Sequence, residues 1–540
     1  MAKLASDLNF VLNNTLDKQK QAIVFVPTKA SAEAGAESLA KLLSKSKNPD
    51  EYMQKLSNDI QTVLSSPTKQ CNRLSECIKQ GVAFHHSGLV SKQRHLIEHN
   101  FRDNKVKIIF ATPTLAMGVD LPAFRTIITS LKRYSSMGYN WIPVMEYLQM
   151  AGRAGRKGQE DYGESIVIAK SENELEIIKD RFLYAQPEPI FSKLAVEPVL
   201  RTYLLALVSM NFVNSKSSIM NFFEKTFFAH QYSDRSKLHH LVEKQLELLD
   251  EFGFVSKIKS RNEKKNSLFE SAAKLLSKQK QENFENYNAT PLGILVARLY
   301  LDPVSAYRII QGLSKAKDDL EYLKSNSFPF FVVLSELLEL RPLPTVRVAD
   351  ERELEELMLR YQSSFLLPIP ESYDINYPYF LSALKLSWII FDWMNEIEDD
   401  ALMTKYNMRP GELRNKIETF DWLLYSSIEI SKQLGYKQVV PFLAKQRKRL
   451  KYGVKEELLN LLRLKNIGKK RARKLFARGI KTTSDITEKD FNHVKNIVGE
   501  AIAKSIFKQL NYVVSFEFVE DNKKSKPQSS DKKKSSLLNY

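Results

Sequence analysis

Three short segments concentrate residue types that handle phosphate. The first, ATPTLAMGVDLPA, runs from Ala111 to Ala123. Thr112 and Thr114 follow an apolar, β-rich run, which places their hydroxyls near the carboxyl edge of a sheet, where α/β proteins bind ligands. Gly118 permits close backbone approach, and Asp120 offers an acceptor for a ribose hydroxyl or a water. The second segment, QMAGRAGR, runs from Gln149 to Arg156 and sets Arg153 and Arg156 three residues apart beside two glycines. On a helix that spacing puts both guanidinium groups on one face, able to grip the oxygens of a transferring phosphoryl group. A plain surface arginine pair at a helix end is the alternative, and the order of the two segments in one chain argues against it. The third, LLRLKNIGKKRARKLFARGI, covers residues 461–480. Its turn, Asn466-Ile467-Gly468-Lys469, offers backbone N–H groups at a helix start, with Lys469, Lys470, Arg471 and Arg473 supplying charge around it.

The elements that must position these groups alternate. Residues 22–26, 106–111, 126–130 and 164–169 are β-rich apolar runs, and helical stretches such as 30–43 and 91–100 separate most of them. That pattern predicts a parallel sheet covered by helices. Residues 44–80 read as a polar helical insertion. Residues 124–144 read as a β-hairpin with a polar tip from Ser135 to Asn140. From Pro187 to about Leu313 the pattern turns helical, broken by a Lys-rich, mobile stretch at 256–266. Long amphipathic helices follow over 314–441, then a small basic helical unit over 454–515. The last twenty residues, rich in Ser and Lys, read as disordered.

The charge balance, 81 Lys and Arg against 63 Asp and Glu, gives a net charge of +18. Residues 445–474 hold thirteen of the cations and two acids, a density that suits a phosphate-binding surface better than a solvated helix face. A polyanionic partner follows. No apolar run reaches the ~18 residues of a membrane span, and the amino terminus lacks a signal-peptide core. Cys71 and Cys77 are the only cysteines, so no disulfide framework is expected and a cytoplasmic location fits. With His85, His86, His95 and His99 they fall close together, but no CxxC pair is present and no metal site is read there.

Four segments in order resemble motifs of the second RecA-like domain of superfamily 2 helicases: AIVFVPTKASAE (22–33), VAFHHSGL (82–89) with Arg94, ATPTLAMGVDLPA and QMAGRAGR. Beyond them, WIPVMEYLQMAGRAGRKG (141–158), EPVLRTYLLAL (197–207), TPLGILVARLYLDPVSAY (290–307) and ETFDWLLYSSIEISKQL (418–434) resemble the archaeal Hjm-type DNA repair helicases of the Ski-like branch. The resemblance covers nearly all of residues 1–520. It implies an α/β RecA-like domain with a parallel sheet (1–186), then all-α winged-helix (187–313), helical ratchet (314–453) and helix–hairpin–helix (454–520) domains, and the basic tail (521–540). It implies that Arg153 and Arg156 contact the ATP γ-phosphate, Arg156 as the arginine finger, with Gln149, Gly118 and Asp120 lining the same cleft. Thr28, His86, Ser87, Thr112 and Thr114 would face the DNA backbone. The hairpin would be the pin that separates the duplex. Trp422 would be a base-stacking platform on the ratchet helix. The family's stacking Arg corresponds to Asn415, flanked by Arg414 and Lys416.

A complete helicase also needs a phosphate cradle, GxxxxGK followed by Ser or Thr, and an acidic Mg²⁺-binding motif. Neither is in these 540 residues. Gly468-Lys469 lacks the preceding glycine loop, and Asp250-Glu251 sits in an apolar helix pattern. ATP and Mg²⁺ are therefore expected only together with a first RecA-like domain on a separate chain, and no hydrolysis by this chain alone. Single-stranded and forked DNA are the expected substrates. Lys534, Leu537 and Tyr540 have a degenerate form of the spacing of a sliding-clamp peptide, which makes a clamp an expected partner through 534–540. Two rival readings stand beside this one: a non-catalytic subunit binding single-stranded or branched DNA, and a Ski-like RNA helicase.

Overall fold

The computed structural model describes residues 2–45, 48–64, 66–135, 138–156, 158, 160–231, 235–259 and 285–512. The basic tail and its clamp-like terminus lie outside the described residues. The chain divides into two compact units, Met1–Val454 and Lys455–Tyr540.

The first part of the larger unit is built on a sheet of β1 (Ala22–Phe25), β2 (Val82–His85), β3 (Ile108–Ala111), β4 (Arg125–Ile128) and, after the hairpin strands β5 (Lys132–Ser135) and β6 (Gly138–Trp141), β7 (Glu164–Val167). The spatial order is β2-β3-β1-β4-β7, all parallel. Strands β1 to β4 are wholly buried, and β1 and β3 accordingly read as unbroken apolar runs rather than alternating ones. Register aligns Phe25 with Ala111 and Ala111 with His85, so the chain leaves β1, β2 and β3 side by side at one sheet edge. Arg125, 4% exposed, anchors the helix Ala2–Asp17 by donating to Thr15 Oγ1 at 2.6 Å and to the Val11 carbonyl, while its Nε binds Glu164 at 2.7 Å.

Two expectations need correction here. The supposed insertion at 44–80 forms helices Glu51–Gln61 and Lys69–Lys79, and the second packs on the sheet with Leu74, Cys77 and Ile78 buried. It is an integral covering helix; its short apolar stripe among polar residues concealed that. The hairpin tip is also tighter than expected. Lys132 pairs with Trp141 and Ser135 with Gly138, so Tyr139 and Asn140 belong to a strand.

The rest of the larger unit is mainly helical. Helices Glu197–Ser209 and Arg235–Glu251 share a core with Pro303–Asp318, Phe328–Ser335, Tyr377–Met394, Pro410–Gln433 and Val439–Tyr452. Residues 187–313 are not all-α, because β8 (Val255–Lys259) and β9 (Glu285–Ala289) pair antiparallel. Residues 256–259 of the expected mobile stretch are thus strand, and the cross-strand partner some thirty residues away carries no local sequence signal. Residues 260–266 lie outside the described residues.

The smaller unit has its own core, including Leu461, Leu475, Val494, Ile506 and Phe507. Its helices are Lys469–Ala477, Phe491–Val498 and Glu500–Gln509. Asn466 adopts a left-handed φ of 67°, the conformation its type tolerates, and Arg471 Nη1 closes the turn on the Asn466 carbonyl at 2.8 Å.

Candidate nucleotide and nucleic-acid faces

The sheet edge gathers most of the hydroxyls singled out above. A cleft of 850 Å³ is lined by Thr28, Ser87, Thr112 and Thr114 on the sheet side, with Lys132, Arg133 and Tyr134 of the hairpin and Thr345, Asn407 and Arg409 from the helical region. Thr28 is the N-cap of helix Lys29–Leu43, its Oγ1 accepting from Ser31 N at 3.0 Å. Thr112 and Thr114 share a hydroxyl–hydroxyl hydrogen bond of 2.9 Å, which fixes both at the head of the segment. An adjoining cleft of 830 Å³ shares Lys29, Ser87, Thr345, Asn407 and Arg409 with the first and continues along the start of helix Pro410–Gln433, past Asn415, Lys416 and Thr419. The two clefts thus form one continuous groove of mixed polar and apolar lining.

His86 does not join them. Its side chain is fully buried, with Nε2 3.2 Å from Glu33 Oε1 and Nδ1 accepting from Gly88 N at 3.1 Å. Burial lowers its pKa, with Glu33 acting in the opposite sense. The expectation that His86 faces DNA is corrected on this ground.

The arginine pair is arranged differently from expectation. Helix Val144–Ala151 ends before it, at Gly152, and Gly155 takes φ = 92°, so Arg153 and Arg156 do not share a helical face. Instead the segment is laced to the 111–123 loop: Ala123 N donates to the Arg153 carbonyl at 2.9 Å, and Gly155 N to the Ala123 carbonyl at 2.7 Å. Both guanidinium groups still converge on that loop. Arg153 Nη2 binds the Ala116 carbonyl at 2.6 Å and its Nη1 lies 3.3 Å from Asp120 Oδ1. Arg156 Nε binds the Pro122 carbonyl at 3.1 Å, with its guanidinium 5.6 Å from the Phe101 ring centroid. Burial lowers the Arg156 pKa. Asp120, Gln149 and Gly118 are exposed, and a Cβ at Gly118 would meet nothing of this chain. The arrangement sets two guanidinium groups beside an exposed, glycine-containing loop.

On helix Pro410–Gln433, Trp422 is half-buried and its Nε1 donates to the Leu299 carbonyl at 3.1 Å. Arg414 lies over the Trp393 ring, 4.6 Å from its centroid, and 3.6 Å from Asp399. Lys416 Nζ binds the carbonyls of Leu340 and Pro342 at 2.6 and 2.8 Å. Asn415 is exposed at the cleft. In the smaller unit, Gly468 is the N-cap of helix Lys469–Ala477, and Arg473 pairs with Glu457 at 2.7 Å.

Sequence reasoning missed Glu33, Arg409 and Lys29. Glu33, 5% exposed, accepts from Arg409 Nε at 3.0 Å, Arg73 Nη1 at 2.7 Å and Gln70 Nε2 at 3.0 Å. Burial would raise its carboxyl, but hydrogen bonds from His86, Arg409 and Gln70 and the charge of Arg409 outweigh that and hold it at about 2. Lys29 forms an ion pair with Glu412. The only local hint was Arg409-Pro410-Gly411-Glu412, a helix-start pattern; the partners are 376 residues apart.

Comparison with known proteins adds three matching domain families: a helicase conserved C-terminal domain over residues 44–158, a helix-turn-helix domain over 163–256, and domain 4 of archaeal helicases over 328–453. The chain is similar to the ATP-dependent DNA helicase Hel308 of Methanococcus vannielii, 35% identical over 517 residues, covering 93% of this chain and 67% of the relative. It is 35% identical to Hel308 of Methanocella arvoryzae over 93% of this chain and 64% of the relative. With Hel308 of Pyrococcus horikoshii the identity is 32%, over 92% and 65%. The chain thus spans about two thirds of the length of these relatives.

Proposed function

The chain belongs to the Hel308 family of ATP-dependent DNA helicases, with a RecA-like domain followed by helix-turn-helix and helical domains, and on that premise we propose that it forms the carboxy-terminal part of a 3′–5′ DNA helicase of the Hjm type, acting in replication-fork repair and recombination. A first RecA-like domain from outside these 540 residues supplies the phosphate cradle and the Mg²⁺ ligands. The four domains divide at about residues 186, 313 and 453, and the last is a helix–hairpin–helix that holds DNA backbone through Gly468, Lys469, Lys470, Arg471 and Arg473.

One observation carries this reading. The single segment 111–123 reaches both faces: Thr112 and Thr114 line the strand cleft, while Ala116, Asp120 and Pro122 are held by Arg153 and Arg156. A change in what the arginines grip therefore moves the groups that touch the strand. ATP supplies the transferable phosphoryl charge when bound against the first domain. Arg156 stabilises that charge, Arg153 and Gln149 orient the wall, and the protein's own carbonyls hold both guanidinium groups in reach until then. On the strand side, Thr28, Ser87, Thr112 and Thr114 offer neutral donors to phosphate oxygens, which grip without reading sequence. The tail's Leu537 and Tyr540 support recruitment to a sliding clamp; titration calorimetry of residues 526–540 against the host clamp tests this, with no binding at ~100 μM ending it.

The test of the main reading is DNA-stimulated ATP turnover. The purified chain is expected to show none, and turnover is expected when an ATP-binding first domain is added. Turnover by the chain alone overturns the division of labour.

A further inference from the structure

Ser87 stands at the junction of the two clefts and lines both. Everything around it is pinned. On one side, His86 is buried against Glu33, and Glu33 in turn accepts from Arg409. On the other, the Gly88 carbonyl accepts from Gly411 N at 2.9 Å. The approach is close enough that a Cβ on Gly88 would collide with the Arg409 side chain, and one on Gly411 with the carbonyls of Ser87 and Leu89. Arg409 is the N-cap of helix Pro410–Gln433, its own N–H accepted by Glu412 at 3.0 Å, and Glu412 also pairs with Lys29. The start of the long helix is therefore joined to helix Lys29–Leu43 by a buried ion pair and a second ion pair, and to the loop after β2 by a backbone hydrogen bond.

We propose that Glu33 and Arg409 are positioning residues that hold Ser87 for backbone contact and lock it to the start of helix Pro410–Gln433, so that the motor-side grip and the helix keep one register on the strand. This rests on the strand-binding reading above. Glu33 never touches the strand. It is an acid beside a polyanion's groove, so simple electrostatics makes its removal strengthen binding. Positioning makes the opposite prediction, and the sign separates the two.

The experiment measures single-strand affinity of the full chain at low and moderate salt for Glu33→Gln, Ser87→Ala and the double variant. Expected are losses of about tenfold for each single variant and no further loss in the double, since both act through one contact. Equal or tighter binding by Glu33→Gln, or losses that multiply, overturns the proposal. Should Glu33→Gln fail to fold, Arg409→Lys, which keeps the charge but alters the donor geometry, enters the same cycle with the same two outcomes. Failure of the underlying reading looks different: the unmodified chain then binds no single strand even at low salt.

Discussion

Arg156 is committed before any ligand arrives. Its guanidinium lies against Phe101 and is held by the Pro122 carbonyl, which fixes where it stands in this chain. In a complex completed by its ATP-binding half, Arg156→Ala is expected to lower turnover by ~10³–10⁵-fold. Steady-state ATPase assays check this, and near-normal turnover removes the assignment. Trp422 is expected to serve both packing and the strand. Its N–H is tethered to Leu299, so Trp422→Phe loses about 1 kcal/mol of stability in calorimetry while keeping most single-strand affinity. Trp422→Ala should in addition weaken strand binding by ~1–3 kcal/mol. A large stability loss with unchanged affinity would leave Trp422 a core residue only.

At the scale of elements, the joints matter more than the helices themselves. Gly155 carries φ = 92°, and a Cβ on Gly163 would strike the Gly155 backbone, so the segment bearing both arginines crosses β7's approach with no room to spare. Gly163→Ala is expected to cost at least ~2 kcal/mol in thermal denaturation, because backbone rather than a side-chain tip must move. The joint at Glu33 makes a pH prediction. Its folded pKa of about 2 lies below the ordinary 4.5, so its contribution is complete above roughly pH 5 and lost as pH falls towards 2. Acid unfolding curves of the wild type should steepen in that window, and those of Glu33→Gln should be flatter there.

Across the whole molecule, charge and architecture divide the work. The two compact units each have a core, so removing residues 455–540 should leave the melting temperature of the remainder within a few degrees while weakening forked-DNA binding. A collapse of the remainder would show that the units are not independent. A net charge of +18 predicts steep salt dependence of strand affinity: contacts to six to ten phosphates lose roughly 10³–10⁵-fold between 50 and 200 mM salt for duplex, somewhat less for single strands.

By itself the sequence determined what local chemistry encodes. The apolar runs of β1, β3, β4 and β7, the basic turn at 466–469 and the Thr112–Thr114 and Arg153–Arg156 pairs were all legible, because residue type and short spacing specify them. Tertiary structure decided which way those groups face. His86 reads like its neighbour Ser87 in sequence, but its side chain is buried beside Glu33 of helix Lys29–Leu43. The arginine spacing suggested a helical face, yet Gly152 and Gly155 end the helix and a distant loop captures both side chains. The β8–β9 pairing and the Glu33–Arg409 joint are invisible locally for the same physical reason. Their energy comes from contacts between residues far apart in the chain, and no window of sequence contains both partners.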